Sequence, residues 1–131
     1  MKIGELARRS GCSIQTIRYY EKLKLLPIPS RSEGNFRLYD IKIFEQLKFI
    51  KRCKDLDLTL DEIRKLLSIK SEPNQECDDV NRLIERHLER VEFKIAEFRQ
   101  LRAQLISLRQ ACSENNKAVD CGILKQLTKD S

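Results

Sequence analysis

Two cysteines, Cys112 and Cys121, frame an eight-residue polar stretch near the end of the chain, and a third, Cys77, lies 35 residues before the first of them. Thiolate sulfur is a soft donor, so these three groups together would form an anionic site suited to Cd(II), Pb(II), Hg(II) or Zn(II) and unsuited to Mg or Ca. Metal–thiolate bonds are about 2.3 Å long. Five heptads apart on one straight helix, Cys77 and Cys112 would stand roughly 52 Å from each other and cannot share an ion within one chain. In an antiparallel pair of helices the start of one meets the end of the other. Cys77 of one protomer then joins Cys112 and Cys121 of its partner, and a homodimer holds two such sites. Cys77 and Cys121 also fall at expected helix starts, where exposed N–H groups favour a thiolate, with Asp78, Asp79 and Asp120 working against them. Cys12 and Cys53 fit apolar positions and read as small buried residues. His87, the single histidine, sits beside an apolar seam and reads as a packing or surface residue rather than a ligand.

The second chemical group is the run Gln15-Thr16-Ile17-Arg18-Tyr19-Tyr20-Glu21, whose polar and aromatic side chains suit base edges and phosphates if a helix carries them into a major groove. For Tyr19 and Tyr20, partial burial against a neighbouring wing is the competing reading.

The elements that must position these groups are mostly helices. Only three prolines and four glycines interrupt a chain of 131 residues that is 35% charged and 6% aromatic, which favours a mainly α fold. Ile3, Leu6 and Ala7 share a face of a short helix over residues 2–9, followed by a turn at Ser10 to Ser13. Ser13 caps a second helix to about Leu23. Ala7, Gly11 and Ile17 supply the small residue, the turn residue and the apolar anchor of a helix-turn-helix. Pro27 to Tyr39, with a Gly34-Asn35 step, predicts a small β-hairpin wing. Asp40 caps a third helix to about residue 54, and Thr59 with Glu62 opens a fourth through Leu67. We place a winged helix-turn-helix domain at 1–70, a linker at 71–77, a dimerisation helix at 78–111, and a metal-binding loop with a short helix at 112–131. Ile84, Val91, Phe98, Leu105 and Cys112 recur every seven residues, with Val80, Leu88, Ile95, Leu101 and Leu108 widening the stripe. A helix of that length, about 50 Å, outruns any core the small domain offers, so the stripe calls for a second chain in a coiled coil.

Charge separates the halves. Residues 1–70 carry 16 Lys/Arg against 9 Asp/Glu, a net +7, and residues 71–131 carry 10 against 11, a net −1. A basic N-terminal half fits a polyanion such as double-stranded DNA. No apolar run approaches a membrane span and no signal-peptide core is present, which predicts a cytoplasmic protein with reduced cysteines. One histidine, no Gly-rich phosphate loop and no recognisable nucleophile–base set argue against an enzyme. A coiled-coil adaptor whose basic domain binds another protein is the rival class.

The motifs IGELAR, TIRYYE, GNFRLY and LTLDEIRKLL resemble the MerR family, and the resemblance runs along essentially the whole chain. It implies that the second helix and the wing contact operator DNA, through Thr16, Arg18, Tyr20, Arg31, Asn35, Arg37 and Tyr39, with Arg18 and Arg37 foremost. It also implies that cysteines framing a loop after the dimer helix, with a cysteine at the start of that helix, sense a divalent ion through Cys77, Cys112 and Cys121. The stretches DDVNRLIERHLERVE, LRQAC and CGILKQL are most similar to the Cd(II)/Pb(II)-responsive branch, Hg(II) and Zn(II) being the alternatives. The implied mechanism is distortion of promoter DNA so that RNA polymerase engages promoter elements that are too widely spaced. An iron–sulfur redox regulator of the same family would need a compact four-cysteine run, which the C-terminal region lacks.

Overall fold

The computed structural model describes residues 1–112 and 117–129; residues 113–116, half of the expected polar loop, and 130–131 lie outside the described residues. Six helices, α1 (Ile3–Ser10), α2 (Ile14–Lys22), α3 (Ile41–Asp55), α4 (Leu60–Lys70), α5 (Asp78–Gln110) and α6 (Gly122–Leu127), are joined by a hairpin of β1 (Ser30–Arg31) and β2 (Arg37–Leu38) and one 3-10 turn at Ala118–Asp120. The chain divides into two compact units, Met1–Val80 and Asn81–Ser131.

Local chemistry sets the helix ends of the first unit. α1 stops at Gly11, which takes the left-handed conformation (φ 73°) and returns its N–H to the Ala7 carbonyl. Two residues later Ser13 accepts a bond from the Thr16 N–H at 3.1 Å and starts α2. Asp40 does the same for Ile43 at 2.9 Å and opens α3. Thr59 and Glu62 form a reciprocal capping box at the head of α4, a device in which the N-cap alone is worth about 1 kcal/mol. α4 runs past the expected Leu67 to Lys70, because Ser68, Ile69 and Lys70 carry no helix breaker and the first proline comes at Pro73.

These helices bury one core. Leu6, Ile17, Leu47, Ile50 and Ile63 are fully enclosed, with Leu25, Leu26, Ile43, Cys53, Leu58 and Leu66 around them. Cys53 therefore occupies the core position expected of it, and burial pushes its thiol up from the ordinary range. The wing is a minimal antiparallel ladder, Ser30 opposite Leu38 and Arg31 opposite Arg37. At its tip Asn35, not Gly34, takes the left-handed conformation (φ 63°), which asparagine tolerates better than most residues.

α5 is continuous over 33 residues, and all but its first three belong to the second unit. Its stripe is bare within one chain: Ile84, Leu88, Ile95, Phe98, Leu101 and Leu105 are all exposed, Phe98 at 67%. No helix among the described residues is long and apolar enough to cross a membrane.

Candidate nucleic-acid face and candidate metal centre

α2 and the wing enclose a cleft of about 650 Å³ in which Arg18, Lys22, Arg31 and Arg37 line the walls with one acidic residue, Glu21. Arg18 is exposed on α2, next to the buried anchor Ile17. Arg31 and Arg37 face each other across the two strands. Arg31 donates from Nη1 to the Asn35 carbonyl at 3.2 Å, which braces the wing tip. Thr16 is half-buried, and its hydroxyl oxygen accepts a bond from the Ser13 hydroxyl at 2.8 Å. Four cations lining one cleft form a surface that attracts phosphate, and Arg can meet a phosphate bidentately.

Two of the expected contact residues are buried within the single chain, Tyr39 at 1% exposed and Tyr20 at 7%. Tyr39 donates its hydroxyl to Glu21 Oε1 and its backbone N–H to the Met1 carbonyl at 2.7 Å. Burial, and then the bond to Glu21, push the Tyr39 phenol up to about 12. Tyr20 is likewise pushed up, first by burial. The aromatic residue of α2 that does stand out is Tyr19, 51% exposed.

At the other end of the chain, Cys112 lies two residues past the end of α5 and Cys121 is the N-cap of α6. Their Sγ atoms lie 3.4 Å apart. The contact depends on a backbone crossing beside it: a Cβ placed on Gly122 would lie 1.9 Å from the Ala111 carbonyl oxygen and 2.9 Å from the carbonyl carbon. Only a residue without a side chain passes there, and the crossing of 111 with 122 sets 112 beside 121. Sequence reasoning placed Gly122 in the short helix without seeing this role.

The two sulfurs are electrostatically unequal. The Leu124 N–H, followed by the contact with Cys112 and by the Ile123 N–H, pulls the Cys121 thiol below the ordinary range. The same sulfur–sulfur contact, with burial secondary, pushes Cys112 up. Both sulfurs could hold one soft cation, which would bind them as thiolates. The spacing fits such an ion: with bonds of about 2.3 Å, a tetrahedral angle separates two bound sulfurs by about 3.8 Å, so the pair needs to open only slightly. Among the described residues no group of three His, Cys, Asp or Glu side chains comes together to hold a metal. Cys77 is exposed and lies in the first unit, one residue before α5.

The chain matches the family described as "MerR HTH family regulatory protein" over residues 1–69 and that described as "MerR, DNA binding" over residues 44–108. It is 46% identical to the transcription regulator PbrR691 from Ralstonia metallidurans, solved in complex with lead(II), with a TM-score of 0.89 over 98% of this chain and 99% of that one. It is 34% identical to MerR from Bacillus megaterium in complex with mercury(II), with a TM-score of 0.75 over 98% of this chain and 100% of that one. Among curated relatives, the HTH-type transcriptional regulator ZntR homolog of Haemophilus influenzae is 41% identical over 89% of this chain and 87% of its own length.

Proposed function

The chain belongs to the MerR family of DNA-binding transcription regulators, and we propose that it activates a heavy-metal resistance promoter on binding Cd(II) or Pb(II) through Cys77, Cys112 and Cys121. It is a regulator and not an enzyme. The observation that carries the metal reading is the sulfur pair, 3.4 Å apart at the end of the long helix. Similarity along nearly the whole length to a lead-bound regulator supports Pb(II), and Cd(II) rests on the soft-donor chemistry of the sulfurs. The mercury-bound relative keeps Hg(II) as a second reading, and the ZntR homolog keeps Zn(II).

The bare stripe of α5 supports a homodimer, and an antiparallel pairing gives each sulfur pair its third donor in trans. Cys77 belongs to the same compact unit as α2 and the wing, whereas Cys112 and Cys121 belong to the other. When bound, the ion supplies a three-sulfur link between protomers. In residue terms, that link fastens the DNA-binding unit of one protomer to the helix end of its partner. Two arrangements of the paired DNA-binding units, differing in contact with the duplex, supply the free energy that bends and untwists the promoter for RNA polymerase. The reaction belongs in the cytoplasm, where thiols stay reduced.

A competition of Cd(II), Pb(II), Hg(II) and Zn(II) for the purified dimer, read by thiolate-to-metal absorbance beside promoter activation, tests this. Cd(II) or Pb(II) is expected to give both the absorbance band and activation at the lowest free concentration. A promoter silent to both ions would remove the reading. For the DNA face, Arg37→Ala is expected to weaken binding across sequences and to lower the slope of log affinity against log salt by about one, as measured by titration of duplex at several salt concentrations.

A further inference from the structure

Glu21 is the one acidic residue in a cleft whose other charged lining residues are the cations Arg18, Lys22, Arg31 and Arg37, on the face read as meeting a polyanion. Its cost there is plain: a carboxylate close to a phosphate repels it. Its geometry gives a reason. The side chain is 15% exposed, and its two oxygens are divided between two wing residues. Oε2 accepts from Arg37 Nη1 at 2.8 Å, and Oε1 accepts the Tyr39 hydroxyl. Each partner is in or next to β2, whereas Glu21 lies in the last turn of α2.

The wing needs such a tie. A two-stranded ribbon is marginal by itself, and this one has only two residue pairs. Its tip is braced internally by Arg31 on the Asn35 carbonyl, but that contact does not fix the ribbon against the helix. Met1 and Tyr39 exchange two backbone bonds, each of 2.7 Å, which hold the end of the ribbon. The Glu21 carboxylate holds the Arg37 side chain itself. A guanidinium has five N–H groups in a rigid plane, so engaging Nη1 orients the rest.

We propose that Glu21 is a positioning residue of the DNA face, its carboxylate fixing Arg37, and through Arg37 and Tyr39 the wing, against the recognition helix. The inference rests on the reading of α2 and the wing as that face. It reverses the sign that charge alone gives. Removing a negative charge beside DNA should tighten binding; removing the tie loosens the arginine and weakens it.

The test uses the full-length dimer and a duplex selected by the unaltered protein from a random-sequence pool, titrated at several salt concentrations. Glu21→Gln keeps the shape and a hydrogen bond to Tyr39 but loses the charged clamp. It is expected to lower affinity about ten-fold, the scale of one charge-assisted bond, and to flatten the salt dependence as Arg37→Ala does. The double variant Glu21→Gln/Arg37→Ala is expected to bind no more weakly than Arg37→Ala alone, a non-additivity that a general loss of fold would not produce. Tyr39→Phe leaves the ion pair intact and removes only the second tether; a loss of a few-fold is expected, which serves the test if Glu21→Gln melts below the assay temperature. Tighter or unchanged binding by Glu21→Gln, or additive losses in the double variant, with Arg37→Ala impaired, overturns the role of Glu21 alone. An Arg37→Ala protein that binds normally overturns the reading of the face and the inference with it.

Discussion

Mixing Cys77→Ser subunits with Cys112→Ser subunits is expected to restore one metal site per heterodimer, although neither variant forms the three-sulfur site as a homodimer. The expectation follows from where the donors sit. Cys112 and Cys121 are already neighbours within a chain, at 3.4 Å, while Cys77 is separated from Cys112 by the 33 residues of α5. At 1.5 Å per residue that helix is about 50 Å long, and no thiolate reaches across it. If Cys77 acts in trans, the Cys77→Ser subunit still offers an intact sulfur pair and the Cys112→Ser subunit still offers Cys77, and the two meet at one end of the heterodimer. The other end lacks both. Heterodimers purified through two different affinity tags should therefore take up one ion each and show the thiolate-to-metal absorbance. Heterodimers that bind no metal would mean that all donors come from one protomer, because each subunit would then be defective by itself. Homodimers of either variant serve as the blank, and Cys112→Ser alone should leave a promoter reporter without response to Cd(II) or Pb(II).

Which parts of this arrangement were legible in the sequence depends on how local the determining physics is. The helices were readable because their signals lie within a few residues: Ser13, Asp40 and the Thr59–Glu62 box all cap where their types predict. The long seam was readable because a seven-residue apolar period calls for a partner helix, and Ile84, Leu88, Ile95, Phe98, Leu101 and Leu105 are exposed among the described residues. The cysteine pair was readable from two soft donors flanking a polar stretch. The aromatic side chains were not. Tyr20 and Tyr39 have the same composition-level signature as Tyr19, yet two are enclosed and one is exposed, a difference decided by which ring meets the core and by Glu21, sixteen and eighteen residues from its partners. Asn35 carries a second meaning that only the backbone reveals, since its left-handed φ accounts for the residue type at the wing tip independently of any contact with DNA. Gly122 belongs to the same class: its signal is a crossing with Ala111, eleven residues away, which no local pattern encodes.

That crossing sets the second large effect. Gly122→Ala is expected to lower metal affinity about 10- to 100-fold, the scale seen when support around a metal site is removed, while leaving metal-free DNA binding and dimer formation unchanged. The added methyl would sit 1.9 Å from the Ala111 carbonyl oxygen. The obstacle is backbone, not the end of a flexible side chain, so the chain must move to relieve it. Displacement of α6 carries Cys121 with it, because Cys121 is the N-cap of that helix. Two consequences combine: the sulfur–sulfur spacing opens in an uncontrolled direction, and the Leu124 and Ile123 N–H groups that favour the Cys121 thiolate lose their alignment. Gly4→Ala is the matched control, since a Cβ there meets nothing within 4 Å. Titrating both variants with Cd(II) in competition with a chelator of known affinity separates the outcomes. Equal affinity for Gly122→Ala and Gly4→Ala would show that the sulfur pair is organised by something other than the crossing. A selective loss in Gly122→Ala, with its operator titration superimposed on that of the unaltered dimer, would assign the geometry of the metal centre to one absent side chain.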